Sequence, residues 1–378
     1  MKQLWPCFEA DEIKAASKAL ASGHPNQWGG REVAAFEREF ARFVGAEYAV
    51  AFANGSLALE AAWAAMKEPR FGERPSALVP AASFVATAMS AVRAGYNLTW
   101  GDIDADGLLR ADQIVPCDVS CVVHLGGKAA GPLLGGPRKI EDCAQALGAR
   151  YPDQSGRHVG TFGRIGVFSF CQDKQLTTGG EGGMAVTSDY MIYRRLWMWK
   201  DHGKTFEEAT GASGNGTYRW IHKTIGTNAR MTEMQAAIGR AQLRKLPGRI
   251  ERRRQVAGWL REELAGEIPE GVLRLPEVRP CDSPYRYYTY LDLERLKPSA
   301  TRDTLVLELH RLGVPAGPGS CPEMYREAAF GNAPFRGCPG ARKWGLEALA
   351  WRCDHRVARS DVRGWVKEGK KAFRKVLG

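Results

Sequence analysis

The amino-acid sequence predicts an α/β fold, with a mostly parallel sheet between helices in a large first domain and a smaller α+β domain after it. Three observations support this fold class. The first half alternates short apolar β-branched runs with longer helical patterns, which is typical of parallel sheets covered by helices. A length of 378 residues fits about two or three domains. A composition of 44% hydrophobic and 25% charged residues excludes disordered, collagenous and coiled-coil chains.

Seven strands and two helices are predicted within this first half. The strands are short runs of apolar and β-branched residues. One helix, over 56–66, is Ala-rich with apolar residues at helical spacing, and another follows over 84–93. The strands are predicted over 48–52, 77–79, 97–100, 120–125, 139–142, 163–170 and 184–187.

An amphipathic helix is predicted ahead of the sheet. Apolar side chains recur there at helical spacing, at Val33, Phe36, Phe40, Phe43 and Val44. Because such a stripe is normally buried against a core, we expect this helix to pack on the large domain.

A long helical region is predicted after the sheet. Thr232 and Gln235 have the spacing of a capping box, and an apolar stripe continues to about residue 246. Pro247-Gly248 is expected to end this helix, so the domains are placed at 1–247 and 248–378. The later elements are a connecting helix over 249–264, an aromatic-rich strand over 285–293, and helices over 301–312, 339–350 and 360–376.

Charge and cysteine content restrict the partners. The net charge of +11 favours an anionic partner: a nucleic acid, a membrane surface or a phosphorylated small molecule. No stretch approaches the ~20 apolar residues of a membrane span, and aromatic residues are not interleaved with basic ones as single-strand binding requires. We therefore expect neither a membrane nor a nucleic-acid partner. The nine scattered cysteines predict reduced thiols in a cytoplasmic protein and no metal site.

Two short motifs indicate a site for a polar, anionic ligand. Asn54-Gly55-Ser56 lies between a predicted strand and helix, where backbone N–H groups can approach an anion. Asp142 ends a predicted strand, with Gln145 one turn later, at the sheet edge where α/β proteins bind ligands. Each motif has a simpler explanation as well. The first satisfies strand-to-helix geometry, and the second caps a helix.

The segment from Phe168 to Gly183 carries the strongest chemical signal. Lys174 follows a largely apolar strand and precedes a glycine-dense turn that contains Glu181. A lysine surrounded by protein can react as a neutral amine with a carbonyl group. An isolated lysine is ordinarily a solvated surface cation. The pattern around Lys174 favours the chemical interpretation.

With these motifs, the sequence resembles the pyridoxal-phosphate sugar aminotransferases of the DegT/StrS type, which have the aspartate aminotransferase fold. The resemblance covers nearly the whole chain, and it implies a seven-stranded sheet in a cofactor-binding domain. The motifs that carry it occur in the shared order Trp28-Gly-Gly, Phe36-Glu, Asn54-Gly-Ser, Pro80-Ala-Ala-Ser-Phe84, Glu141-Asp-Cys-Ala-Gln145, Phe168-Ser-Phe170, Lys174, Gly180-Glu-Gly-Gly183, Asp201-His-Gly203 and Asn228-Ala-Arg-Met-Thr-Glu233.

The resemblance implies a role for each matching residue. Lys174 would bind the cofactor covalently and shuttle a proton during the reaction. Asp142 would pair with the protonated pyridine nitrogen and keep the ring an electron sink. The other cofactor contacts would be Gln145 on the phenolic oxygen, Phe84 on the ring face, and Gly55, Ser56 and Ser169 on the phosphate.

Three further positions concern the dimer and the substrate. In similar proteins the counterpart of Asn228 reaches the cofactor phosphate of the neighbouring subunit, which implies a homodimer with shared active sites. Arg230 is expected either to bind an acidic substrate group or to brace the interface. His355 matches a position near the substrate pocket, although an isolated histidine is more often structural.

The resemblance predicts an aminotransferase that converts the keto group of a nucleotide-diphosphate-linked sugar to an amine, with glutamate or glutamine as donor. Members that dehydrate their substrate commonly have His in place of the lysine, so Lys174 favours amino transfer. Gly180 follows Lys174 in a longer loop than in many members, so a different lid over the cofactor is expected. Two alternatives stay open: a cyclitol or other carbocyclic ketone as substrate, and a non-catalytic regulator that binds the cofactor.

Overall fold

The computed structural model describes residues 5–68, 74–132, 134–153, 155–210, 222–331 and 337–377. Its larger sheet has seven strands, each within or overlapping a predicted run. They are β1 (Tyr48–Phe52), β2 (Ser76–Pro80), β3 (Asn97–Gly101), β4 (Val119–Val123), β5 (Lys139–Asp142), β6 (Ile165–Ser169) and β7 (Gly183–Thr187). The strand order is β1-β7-β6-β5-β4-β2-β3, and only β7 is antiparallel to its neighbours. The prediction of a mostly parallel sheet is confirmed.

Helices cover both faces of this sheet. They are α1 (Ala10–Ala21), α2 (Glu32–Val44), α3 (Gly55–Met66), α4 (Ala86–Arg93), α5 (Tyr190–Lys200), α6 (Phe206–Thr210) and α7 (Glu233–Glu267). Successive strand residues point to opposite faces. In β1, Ala51 packs in a core with α2 and α7, whereas Val50 packs in a core with α3, α4 and α5. The sheet is therefore buried on both sides, as parallel sheets require.

The amphipathic helix predicted ahead of the sheet is α2. Its Phe36 and Phe40 side chains are fully buried. Phe40 packs against Phe168 and Phe170 of the sheet layer, with ring centroids 5.1 Å and 5.4 Å apart. The apolar stripe thus fixes α2 to the strand that leads toward Lys174.

The expected break at Pro247 is wrong, because α7 continues through it as one helix of 35 residues. Proline lacks an N–H, so it removes one helical hydrogen bond. Buried residues on both sides of it, Leu246 and Ile250, hold the helix in the core. Thr232 caps α7 together with Gln235, as predicted. The helix crosses the proposed boundary, and the division into 1–247 and 248–378 stays a prediction.

A second, antiparallel sheet forms the C-terminal region together with three helices. The elements are β8 (Leu273–Arg274), β9 (Arg286–Leu291), α8 (Arg302–Arg311), β10 (Ala316–Pro318), α9 (Pro339–Glu347), β11 (Ala348–Arg352) and α10 (Arg359–Val376). The strand order is β10-β11-β9-β8. The helix predicted over 339–350 is wrong beyond Glu347. Residues 348–352 pair with β9, and Trp351 donates a hydrogen bond of 2.9 Å to Thr289, so cross-strand pairing overrides local helix preference. None of the helices in the described ranges is both long enough and apolar enough to span a membrane.

Candidate active site

One cavity of ≈ 810 Å³ gathers most of the predicted site residues. It lies beyond the carboxyl ends of the parallel strands, where Asp142 ends β5 and Ser169 ends β6. Residues of β9, β11 and the segment around β10 close its other side. Seven of the ten predicted residues line it: Gly55, Ser56, Phe84, Asp142, Gln145, Ser169 and Lys174.

The N-terminus of α3 forms an anion cradle at one end of this cavity. Asn54 caps the helix by accepting the Leu57 N–H at 2.9 Å. Helix geometry leaves the N–H groups of Gly55 and Ser56 without acceptors inside the helix. A side chain at Gly55 would place its Cβ 2.7 Å from Cβ of Ser169, so only glycine lets these two segments approach. The two amides and the serine hydroxyls fit a phosphate group.

Asp142 lies at the base of the cavity and is 4% exposed. Its Oδ2 accepts the Thr87 hydroxyl at 2.8 Å, and its Oδ1 accepts the Ala144 N–H at 3.0 Å. Burial raises the pKa of Asp142 and outweighs the opposing effect of these two hydrogen bonds and of nearby Lys174. A desolvated carboxylate of this kind is stabilised by a cationic partner, so the position fits a protonated ring nitrogen.

Two further side chains line the cavity: the polar amide of Gln145 and the apolar ring of Phe84. Gln145 is held in place because its Oε1 accepts the Gly126 N–H at 3.0 Å, and its main-chain oxygen accepts Nε2 of Gln175 at 2.7 Å. Phe84 lines the cavity and is 56% exposed. Its apolar ring is therefore accessible to a ligand in the cavity.

Lys174 projects from the turn that follows β6. Its N–H donates to the Cys171 carbonyl at 3.0 Å, which closes that turn. Its Nζ lies 4.5 Å from the centroid of the Tyr285 ring, a cation–π contact. The lysine is half-buried between the turn and the smaller sheet.

The sequence analysis missed several cavity residues, among them Thr87, Asp173, Tyr285 and Arg286. The Tyr285 hydroxyl donates to Oδ2 of Asp173, and Nη2 of Arg286 lies 3.8 Å from the same oxygen. Burial would raise the pKa of Asp173, but the charges of Lys174 and Arg286 and the Tyr285 hydrogen bond hold it below its usual range. Burial also raises the pKa of Tyr285. In the sequence, the feature that could have indicated Asp173 is its position directly before Lys174.

The structure places the other three predicted residues outside the lining of this cavity. Asn228 is exposed and forms a β-bridge with Asp201. Arg230 donates to Oδ1 of Asp201 at 2.7 Å. His355 packs edge-on against Trp5 with centroids 5.0 Å apart, and burial lowers its pKa to about 3. Their proposed roles stay predictions.

The fold and this cavity together define a pyridoxal-phosphate-dependent aminotransferase of the aspartate aminotransferase fold. The anion cradle and the buried carboxylate of Asp142 share one cavity with Lys174, and a lysine with a carboxylate partner for the ring nitrogen is what this cofactor requires. The chain belongs to the DegT/DnrJ/EryC1/StrS aminotransferase family, whose model matches residues 6–117 and 138–363.

Proteins of known activity and structure are similar to the chain over most of its length. It is 32% identical to a UDP-N-acetyl-3-dehydro-alpha-D-glucosamine 3-aminotransferase of Acidithiobacillus ferrooxidans, over 81% of this chain and 80% of that protein. It is 30% identical to the 3-amino-5-hydroxybenzoate synthase of Amycolatopsis mediterranei, over 96% and 90%. A crystal structure of an aminotransferase from Psychrobacter cryohalolentis superposes with a TM-score of 0.90 at 34% identity and covers 99% of both chains. The predicted enzyme class and cofactor are confirmed.

Proposed function

We propose that this aminotransferase converts the keto group of a nucleotide-diphosphate-linked sugar to an amine, with glutamate or glutamine as donor. The observation that carries the proposal is the single cavity of ≈ 810 Å³ that joins the anion cradle, Asp142 and Lys174. Ligand sites usually measure ~300–1000 Å³, so this one has room for a cofactor and a sugar ring. The net charge of +11 attracts a diphosphate from a distance. The similarity to the Acidithiobacillus enzyme supports the substrate class.

The cofactor supplies a carbonyl for covalent attachment and an electron sink for the substrate carbanion. Lys174 would hold it covalently, and the lysine amine would move a proton to and from the substrate Cα. Asp142 keeps the ring nitrogen protonated, and Thr87 fixes the orientation of that carboxylate. The other cavity residues that would hold the cofactor are Gln145 at the phenolic oxygen, Phe84 at the ring face, and Gly55, Ser56 and Ser169 at the phosphate.

A second substrate class has its own support. The Amycolatopsis relative is named for an aromatic amino acid, 3-amino-5-hydroxybenzoate, and the similarity to it covers 96% of this chain. A cyclitol or other carbocyclic ketone would occupy the same space as a sugar ring without contributing a diphosphate. The presence of Lys174 favours amino transfer over dehydration for either substrate.

The substrate class is tested by incubating the purified holoenzyme with glutamate or glutamine and a panel of nucleotide keto-sugars and cyclitol ketones. Mass spectrometry then detects the replacement of oxygen by an amine. We expect an aminated nucleotide sugar. Amination of the cyclitol ketones alone would favour the second class, and turnover of neither class with either donor would contradict the proposal.

The attachment site is tested separately by borohydride reduction of the holoenzyme and peptide mapping. We expect the phosphopyridoxyl group on Lys174 and its loss in Lys174→Ala. A label on Lys128, another lysine of the same half of the chain, would remove Lys174 from its proposed role.

We also propose a homodimer that shares its active sites. Asn228 is exposed next to Asp201 and outside its own subunit's cavity, so it is available to a neighbouring chain. A cytoplasmic location is part of the same proposal, supported by nine cysteines that are all unpaired.

A further inference from the structure

We propose that Arg286 binds the α-carboxylate of the amino-acid donor. Arg286 is the first residue of β9, and it lines the cavity together with Lys174. The inference rests on the proposed donor, glutamate or glutamine. It adds a carboxylate-binding residue that belongs to the smaller sheet and lines the same cavity as the anion cradle.

The guanidinium of Arg286 has its hydrogen-bonding capacity available for a ligand. Its side chain is 28% exposed at the cavity wall. Within the described ranges it makes no hydrogen bond, and its ion pair with Asp173 spans 3.8 Å, too long for one. Guanidinium has five N–H donors in a planar fork that matches both oxygens of a carboxylate. A substrate carboxylate can therefore bind without displacing a partner from this fork.

Asp173 lies near the fork but at 3.8 Å does not hydrogen-bond to it, so the N–H groups of Arg286 stay available. Tyr285 donates its hydroxyl to Oδ2, the oxygen that Arg286 faces. The Arg286 guanidinium also lies over the Tyr285 ring, 4.9 Å from its centroid. These contacts hold Arg286 at the wall as a positioned cation.

The position relative to Lys174 favours a carboxylate over a diphosphate. Among the described residues that line the cavity, these two have the only basic side chains. Both contact the Tyr285 ring, Lys174 at 4.5 Å and Arg286 at 4.9 Å from its centroid. A donor's carboxylate is bonded to the same Cα as its reacting amine, so it must bind close to Lys174. The diphosphate of a nucleotide sugar is separated from the keto carbon by the sugar ring and extends further away.

The test measures ligand binding to the holoenzyme by isothermal titration calorimetry. The probes are 2-oxoglutarate, which carries the donor's carboxylates but no amine, and UDP, which carries the diphosphate but no carboxylate. The variants are Arg286→Gln, which removes the charge, and Arg286→Lys, which keeps the charge but loses the fork. Arg274→Gln is the matched control, because Arg274 lies on the neighbouring strand β8 and pairs with Asp106.

We expect Arg286→Gln to weaken 2-oxoglutarate binding about tenfold or more, which corresponds to loss of a charge-assisted hydrogen bond. Arg286→Lys should weaken it less, and Arg274→Gln should leave it within twofold of wild type. UDP binding should be the same in all variants. Unchanged 2-oxoglutarate binding in Arg286→Gln, equal losses for both probes, or no 2-oxoglutarate binding by the wild type would overturn the inference. If 2-oxoglutarate binding depends on Arg286 but no keto-sugar is turned over, the result contradicts only the proposed sugar substrate.

Discussion

The Thr87 hydroxyl donates a 2.8 Å hydrogen bond to Oδ2 of Asp142, and both side chains are almost completely buried. Thr87 belongs to α4, whereas Asp142 ends β5, so the bond joins a surface helix layer to the base of the cavity. Because Ala144 holds the other carboxylate oxygen, the plane of the carboxylate is fixed before any ligand arrives.

Asp142→Asn should preserve the fold and greatly slow transamination. A neutral amide cannot keep the cofactor's ring nitrogen protonated, so the carbanion loses its electron sink. We expect a loss in kcat on the order of a thousandfold, equivalent to ~4 kcal/mol. Thr87→Val keeps the carboxylate and removes one hydrogen bond, so its kcat should fall by about tenfold. Near-normal turnover in Asp142→Asn, with cofactor bound, would exclude the proposed role.

Gly55→Ala should weaken cofactor binding. The added Cβ would lie 2.7 Å from Cβ of Ser169 and 3.0 Å from its Oγ, so the two sides of the phosphate cradle must separate. We expect the dissociation constant of pyridoxal phosphate to rise about tenfold or more. It is measured by titrating the apoenzyme with pyridoxal phosphate.

The control for Gly55→Ala is Gly248→Ala in α7, where an added Cβ meets nothing within 4 Å. Alanine is favoured over glycine inside a helix, so this change should stabilise the protein by up to ~1 kcal/mol and leave cofactor binding unchanged. Equal effects of the two substitutions on the dissociation constant would argue against phosphate binding at the anion cradle.

The sequence predicted the cofactor side of the site better than the substrate side. Asp142 and Ser169 end individual strands and Lys174 follows one, so a local apolar run is enough to place each at the same edge of the sheet. Tyr285 and Arg286 reach the cavity only because the smaller sheet folds back on the larger one. No local spacing connects residues more than a hundred positions apart.

The wrong secondary-structure predictions have a related cause. Pro247 has strong local helix-breaking character, but the core on either side of it holds α7 together. Residues 348–350 continue a helical pattern, yet pairing with β9 makes them a strand. In both cases long-range packing outweighs local preference, which one sequence does not reveal.

Glu141→Gln should destabilise the protein at neutral pH and much less in acid. The Glu141 carboxylate is buried and accepts hydrogen bonds from His124 at 2.9 Å, Gly160 at 2.6 Å and Phe162 at 2.8 Å. Burial alone would raise its pKa, but His124 and nearby Lys139 and Tyr151 lower the pKa of Glu141 to about 2. At 1.36 kcal/mol per unit, the charge contributes about 3 kcal/mol.

The direction of the pH effect follows from this lowered pKa. The folded-state value lies below the unfolded one, so the stabilisation is present above about pH 4.5 and is lost as the pH falls toward 2. Urea unfolding of wild type and Glu141→Gln should therefore give free energies of unfolding that differ most at pH 7 and converge in acid. Glu267→Gln, which removes a surface ion pair with Lys370, should change stability by less than ~0.5 kcal/mol. A pH-independent difference for Glu141→Gln would contradict the assignment.

A shared active site predicts complementation between two inactive variants. If each site combines its own Lys174 with Asn228 of the other subunit, Lys174→Ala and Asn228→Asp are both inactive alone. The second variant places a negative charge beside the cofactor phosphate. In a mixed dimer, one site receives both substitutions and the other receives neither, as an isologous two-fold interface requires. Mixing the variants under subunit-exchange conditions should restore activity to about half the sites of each mixed dimer.

The result separates a shared site from a self-contained one. If both residues acted within one subunit, every site in the mixture would carry one defect and activity would stay absent. The exposure of Asn228 outside its own cavity argues for the shared arrangement. Subunit exchange is followed independently by mass spectrometry of tagged chains, so that a failure to mix is not mistaken for a failure to complement. No recovery despite exchange, or an active monomer in sedimentation, would exclude the contribution of Asn228 to the neighbouring site.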